Sequence, residues 1–303
     1  MHNNKRKKHT FRNLGMWFVL LFVLGGAAFG MTRYRSVKSA ADSSYVPSGV
    51  TSQRNVNSLL NNSKPVSILL MGVATNQSIS NYSGNTNSMM VLTLNPETKK
   101  TTITSIPSNL ALKGSVKTIG AEYAAGQTKS AVTSVENLLN IPVDFYATIN
   151  MGGLGQAIND VNGVDVTPNE SFTNGGYTFT KGQSTHMNGA KATAYLAMKN
   201  GNDAARSQRQ RDVLTALVSE SASISTLFNQ NLVNSLSDQI QTDMTFDNMT
   251  TLAKNYNSVG KNTSDDAIAI TDGVAKSSEL QRVTNAIRTN LGLSQANTGD
   301  IAK

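Results

Sequence analysis

No cysteine occurs in the 303 residues, and histidine is almost as scarce: of three, two stand within the first nine residues and only His186 lies beyond them. Disulfides and a thiolate nucleophile are thereby excluded, as are zinc sites built from cysteine and histidine. His186 stands in KGQSTHMNGAKA, which reads as a Gly- and Asn-containing loop, with no spacing of serine and aspartate that supports a Ser-His-Asp arrangement. Acidic residues are missing from the first 38 positions, and charge of either sign is missing from Ser67 to Asn95. The scattered carboxylates Glu122, Asp144, Asp160 and Asp165 have no partner at a spacing that proposes acid/base work.

What is present at the N-terminus is positive charge. The net charge of +8 resides in eight residues, Lys5, Arg6, Lys7, Lys8, Arg12, Arg33, Arg35 and Lys38, and the remaining chain balances 19 basic against 19 acidic side chains. A neutral main body argues against nucleic acid as a partner. Between the basic groups runs LGMWFVLLFVLGGAAFGM, Leu14 to Met31, 18 residues without a charge. At about 1.5 Å per residue it just crosses a hydrocarbon core of roughly 30 Å. KSAADS offers a cleavage site, but the run is long for a signal core and three basic residues intervene, so it reads as a retained anchor. Five basic residues before the span and three after it leave a short cytoplasmic tail and place the chain beyond Met31 outside the cell membrane. The expected organisation is residues 1–13 as tail, 14–31 as transmembrane helix, 32–63 as extracellular linker, 64–290 as an extracellular domain and 291–303 as a C-terminal tail.

Within that domain, VSILLMGV (Val66 to Val73) is a continuous apolar run of strand length, as for a strand buried on both faces. MMVLTLNPETKKTTITSI places a strand on each side of a turn. SAVTSVENLLNIP has helical spacing at Val132, Val135, Leu138 and Leu139 and stops at Pro142. A strand at Asp144 to Asn150, a short helix before Gly163, a VDV strand, a Gly-rich turn region and helices at 188–199 and 205–225 complete the reading. Strands alternating with helices imply a sheet covered by helices.

Six stretches in order, ILLMGV, NSMMVLTLNPETKKTTITSIP, INMGGLGQAINDVNGVDV, YTFTKGQSTHMNGAKATAYLAMK, DAARSQRQRDVL and QTDMTFDNM, give the chain its resemblance to the LytR-CpsA-Psr family of cell-envelope proteins. The resemblance covers about Lys64 to Gly273. It implies an α/β fold, an αβα sandwich with a mixed central β-sheet, behind a single span. It also implies glycopolymer phosphotransfer, from a polyprenyl-pyrophosphate carrier onto peptidoglycan, with Mg²⁺ as cofactor in active members.

The same resemblance exposes what this chain has lost. The family's G-V-D-x-R is Gly72, Val73, Ala74, Thr75, Asn76; its R-S-D-T-M-M is Asn85, Thr86, Asn87, Ser88, Met89, Met90; its S-I-P-R-D is Ser105, Ile106, Pro107, Ser108, Asn109. Ala74, Asn76, Asn85, Asn87 and Ser108 therefore stand where the family's Mg²⁺-associated aspartates and pyrophosphate-associated arginines are expected. No metal ligand is assigned, and no catalytic residue. NDAARSQRQ is better preserved: by resemblance Asp203, Arg206, Arg209 and Gln210, with Lys199 from the preceding element, are candidate pyrophosphate-binding residues. Arg206, Arg209 and Gln210 are three and four residues apart, so on a helix they share a face; a solvated helix face remains the alternative.

Three readings are open: a binding protein for polyprenyl-pyrophosphate-linked glycopolymer with impaired catalysis, an active glycopolymer–peptidoglycan phosphotransferase, and an envelope-related transcriptional attenuator. The partners implied are the lipid-linked glycopolymer, peptidoglycan, the cell membrane and a paralogous transferase. Capsule and teichoic acid attachment are the processes concerned.

Overall fold

The computed structural model of the protein describes residues 38–39, 42–73, 75, 79–113, 117–150, 154–160, 162–198, 205–206, 208–210, 212–213, 216, 239–256, 259 and 262–299. The expected span at 14–31 lies outside these residues. Among the described residues, no helix is long and apolar enough to cross a membrane.

The sheet is built around β1 (Val66–Val73). β1 pairs antiparallel with β2 (Ser88–Asn95) and parallel with β4 (Phe145–Asn150). β2 pairs antiparallel with β3 (Lys100–Ile106) through the turn at Pro96–Lys99, where Asn95 Oδ1 accepts from the Thr98 amide at 3.0 Å. Two further strands, β9 (Ile240–Thr242) beside β4 and β10 (Asn262–Ala267) beside β3, complete the order β10-β3-β2-β1-β4-β9. The sheet is mixed because β1–β4 and β3–β10 run parallel while the other pairs run antiparallel.

Alternation along the strands divides the core in two. Ile68, Met90, Leu92 and Leu94 face one layer, where they meet α1 (Val56–Asn61), α3 (Leu154–Asp160), α4 (Gly189–Leu196) and α5 (Phe246–Asn255). Leu69, Met71, Met89 and Val91 face the other, filled by α2 (Glu122–Leu139) and α6 (Ser277–Asn290). The absence of charge from Ser67 to Asn95 is explained for the strand portions, since a charge on either face would be buried without water. Each fully buried aliphatic side chain here contributes about 1.5–3 kcal/mol. The expected three layers, helices on both faces of a mixed sheet, are present.

Other elements extend or shift the expected ones. Within α2 the backbone leaves helical geometry at Gly126 and Gln127, so a short turn from Glu122 is set off by a kink from the main helix, which starts close to the expected Ser130. It ends at Leu139 with Asn140 in the left-handed region at φ 45°, two residues before Pro142. His186 stands on a strand, β8 (Thr185–Met187), paired with β5 (Val164–Val166). Its Nδ1 is 2.8 Å from Asp165 Oδ1, directly across the ladder, and its Nε2 is 3.1 Å from the Asn162 carbonyl, so the imidazole ties β8 to β5 and to the turn before it. α3 and α4 touch through glycines, where a Cβ on Gly189 would lie 2.0 Å from the Gly155 carbonyl oxygen.

Residues 45–63, within the expected linker, are packed into the fold. The Val46 amide donates to Thr242 O at 2.8 Å, and the Tyr146 hydroxyl donates to Val46 O at 2.8 Å. Arg54 grips Asp144 with two nitrogens, Nε to Oδ1 at 2.9 Å and Nη2 to Oδ2. The Asp144 side chain is 1% exposed and also accepts from the Ser67 amide and hydroxyl. One acid thus joins the N-terminal segment, β1 and the start of β4.

Removing the cation alone strands a buried carboxylate, which costs roughly 3–5 kcal/mol. Arg54→Met is expected to lower the unfolding free energy by about that amount in denaturant titrations, and adding Asp144→Asn to recover part of it. A double variant no more stable than the single one would place the loss elsewhere. Nearby Asp243 accepts from the Tyr146 amide at 2.9 Å, and burial, only partly opposed by that bond and one from Ser48, raises its pKa from 3.8 to about 6. The folded chain therefore holds this proton more tightly than the unfolded chain, and its stabilisation is lost as pH rises from the unfolded value through the folded one. The melting temperature of Asp243→Asn minus that of the parent should be more positive near about pH 7.5 than near about pH 4.5. An equal difference at both would mean that Asp243 ionises freely in the folded chain.

Candidate functional site

The sheet brings three of the five charge-depleted positions to one end. β1 and β3 finish there and β2 begins there, with Gly72 opposite Ser88 and Met89 opposite Ile106. The Asn87 amide donates to Gly72 O at 2.8 Å, which fixes the entry into β2. Gly120 then joins the loops on either side: its carbonyl accepts from the Thr86 amide and its amide donates to Ser108 O, each at 2.9 Å. Asn85 is exposed, while Asn87 and Ser108 are half-buried. Ala74 and Asn76 lie outside the described residues. Thr75 between them is held at its amide by Asn150 Oδ1 at 3.2 Å, and Asn150 donates in turn to Gln239 Oε1 at 2.7 Å.

This rim carries hydrogen-bonding groups and no charge at Asn85, Asn87 and Ser108. The closest acid in sequence to Gly120, Glu122, accepts from Ser130 Oγ at 2.6 Å. Among the described residues no group of three or more His, Asp or Glu side chains is arranged to hold a metal ion.

Cations appear in a second group of residues. The described residues between 205 and 216 are all helical, with Val213 and Ala216 buried in the core layer that contains α4. Arg206 is half-buried, and Arg209 and Gln210 are buried. Arg209 Nη1 pairs with Glu170, Nη2 donates to the Met198 carbonyl at 2.9 Å, and the guanidinium lies 5.5 Å from the Phe172 ring centre. Phe172 on β6 (Phe172–Asn174), Phe179 on β7 (Tyr177–Phe179) and Tyr195 on α4 form an aromatic cluster with centroids 4.8–5.6 Å apart. Asp212 accepts from the Tyr195 hydroxyl at 3.2 Å and from Gln208 Nε2 at 2.8 Å. Burial first, and Asp212 second, push the Tyr195 hydroxyl far above its ordinary value, so it remains a donor. Lys199 and Asp203 lie outside the described residues.

Sequence reasoning did not single out Glu170, Asp212, Gly120 or Asn150. Glu170 is an isolated acid 39 positions from Arg209, and no spacing links the two. Gly120, in KTIGAE, looks like any loop glycine until both of its peptide groups are seen bridging Thr86 and Ser108.

Residues 31–290 match the LytR_cpsA_psr family over most of the chain. The chain belongs to this family. A curated relative from Enterococcus faecalis, named polyisoprenyl-teichoic acid–peptidoglycan teichoic acid transferase TagU, is 32% identical over 290 residues, covering 90% of this chain and 94% of the relative. Among solved structures, the Streptococcus agalactiae protein gbs0355 superposes with a TM-score of 0.67 at 27% identity, covering 82% of this chain and 94% of that one. TagU of Bacillus subtilis superposes with a TM-score of 0.58 at 27% identity, over 77% of this chain and 99% of its own.

Against the Mg²⁺ expected of active family members, the donor set does not fit. Mg²⁺ is held through hard carboxylate oxygens together with substrate phosphate. Amides at Asn85 and Asn87 and a hydroxyl at Ser108 add no negative charge, and the side chain of Ala74 has no donor atom at all.

The rim depends on close approach at Gly120. A Cβ there would lie 2.7 Å from both Ser108 O and Thr86 O, and backbone cannot yield as a flexible side chain can. Gly120→Ala is expected to cost about 1–3 kcal/mol of stability. Amide hydrogen exchange at Thr86 should accelerate well beyond that of amides in β1; unchanged protection at Thr86 would show that the two loops hold without this contact.

Proposed function

We propose that this family member is a membrane-anchored extracellular protein. It binds polyprenyl-pyrophosphate-linked glycopolymers destined for peptidoglycan and is impaired as a transferase. The observation that carries the reading is the neutral rim: Asn85, Asn87 and Ser108 come together at one end of the sheet, where the family resemblance places arginine and a Mg²⁺-associated aspartate. Phosphoryl transfer needs the charge developing on the leaving oxygens to be neutralised by metal or cation. Losing one such contact typically costs roughly 10²–10³ in rate, and several are missing together. The residues that remain, Arg206 and Gln210 among them, supply donors for holding an anion without the groups needed to cleave it. The teichoic acid transferase name of the Enterococcus faecalis relative supports a lipid-linked wall polymer as the ligand class.

The second reading, an active glycopolymer–peptidoglycan phosphotransferase, is favoured by that same relative's 32% identity along 90% of the chain. Attenuation of transcription finds no support in the neutral main body.

The test uses the full chain in detergent micelles with a polyprenyl-pyrophosphate-linked glycan, a peptidoglycan fragment and Mg²⁺. The parent is expected to bind the donor without measurable release of polyprenyl phosphate. A fourfold variant, Ala74→Asp, Asn85→Arg, Asn87→Asp and Ser108→Arg, should gain Mg²⁺-dependent release by at least about 10². Transfer by the parent at the fourfold variant's rate would establish the active reading instead. A folded fourfold variant with no gain in Mg²⁺ binding or release would undo the mapping of these positions onto the family site.

A further inference from the structure

At the end of the sheet away from the rim lies a cavity of about 510 Å³ that the site described above does not use. Phe145, which pairs with Ile68, stands in its wall, and Asn150, which pairs with Val73, stands at the rim. Steps of about 3.3 Å per residue along β4 put the two about 17 Å apart. Four pieces of chain enclose the cavity: the N-terminal segment from Tyr45 to Ser52, α1, the start of β4, and the end of β9 with the first turn of α5. Its volume falls in the range of small-molecule sites, about 300–1,000 Å³.

The polar groups of the wall fall into two sets. The inner acids are committed within the protein: Asp144 accepts from Arg54 and Ser67, and Asp243 from the Tyr146 amide and the Ser48 side chain. At the mouth the groups are open. Asn248 Oδ1 accepts from the Thr245 amide at 3.1 Å, so its nitrogen is the donor to Asn57 Oδ1 at 3.0 Å. That leaves the Asn57 nitrogen with two N–H donors and no partner among the described residues. The Tyr45 hydroxyl and the Asp247 carboxylate likewise have none among them, and Tyr45 is 42% exposed.

This lining selects among ligands. An acyl chain gains nothing against a floor of carboxylates, and a phosphate polymer is repelled by the acids. A cation meets one acid already neutralised by Arg54 and another hydrogen-bonded within the wall, so Asp247 alone presents an open charge. An uncharged ring with many hydroxyls and an apolar face meets none of these objections. Each hydroxyl both donates and accepts, which suits the Asn57 N–H groups and the Asp247 oxygens, and a C–H face suits the Tyr45 ring.

We propose that this cavity is a second binding site, for the uncharged sugar backbone of peptidoglycan. In the reading above the rim meets the charged end of the donor; the cavity, at the far end of the sheet, holds the protein to a wall strand already in place. The inference goes beyond that reading and takes from it only the placement of the domain at the wall.

The probe is tetra-N-acetylchitotetraose, an uncharged oligomer of N-acetylated sugars. It is titrated at millimolar concentrations into the isotope-labelled full chain in micelles while amide chemical shifts are followed. Shifts are expected at Tyr45, Asn57 and Asp247 and not at Thr86 or Gly120 on the rim, with an affinity unchanged by salt. Tyr45→Ala should weaken binding about 10-fold, and Tyr45→Phe, which keeps the ring, by less. Asn57→Ala should weaken it about 3- to 10-fold. A cation site would instead lose its ligand in high salt and in Asp247→Asn, and a polyanion site would shift the same amides with poly(glycerol phosphate). Either result overturns the proposal, as do shifts confined to the rim, no shift at all, or full affinity in both alanine variants. If Tyr45→Ala releases the segment from β9, seen as lost exchange protection at the Val46 amide, Asn57→Ala decides alone. Loss of this site with the polyprenyl-pyrophosphate donor still bound would leave the earlier reading standing, and the converse would retire that reading only.

Discussion

β1 must satisfy two apolar layers at once. Ile68 points into one and Leu69 into the other, and the strand can do this only because its sequence contains no charge and its backbone is fully paired, to β2 on one side and β4 on the other. That requirement determines where the polar work is done. A strand buried on both faces can present functional groups only beyond its ends, and the parallel and antiparallel pairings bring the ends of β1 and β3 and the start of β2 to one rim. The chemistry available to the protein is then decided by a few loop side chains, and in this chain those at Asn85, Asn87 and Ser108 are neutral.

The parts of the fold legible in the sequence were those with strong local patterns. β1 coincides with VSILLMGV, the β2–β3 hairpin with its Asn-Pro turn, and the helical spacing at Val132 to Leu139 lies inside α2. β9 has three residues, and β10 is Asn262 to Ala267 with acids and hydroxyls in place of an apolar run, so neither announces itself; each is a strand because a neighbour offers it hydrogen bonds. His186 looked like a loop residue for the same reason: β8 exists through pairing with β5, not through its own composition. Residues 45–63 read as linker because what docks them is non-local, an Arg54–Asp144 pair 90 residues apart in sequence.

For the candidate site the sequence nominates residues and leaves their contacts unstated. Resemblance to a motif nominates residues by type and position, and helical periodicity places Arg206, Arg209 and Gln210 together. Neither reports that a carboxylate from Glu170 and a carbonyl from Met198 already engage Arg209. A buried cation with partners inside the protein and one facing a ligand are identical in sequence; burial and the identity of the partners distinguish them.

The pairing of Val46 with Thr242 has a consequence for handling the protein. A sheet has two open borders, and each is a template on which a foreign strand can assemble. The β10 border carries Asp266, bound to Arg282 at 2.9 Å, and charged side chains of this kind discourage such addition. The β9 border is short and lies beside residues that precede the first apolar strand of the domain: Tyr45 bridges to Thr242 and the Val46 amide donates to its carbonyl. A soluble fragment cut at the start of the apparent domain, near Lys64, would shed that cover along with Arg54. It would expose unpaired backbone beside a carboxylate left without its cation, a recipe for intermolecular strand exchange in a preparation intended to be monomeric.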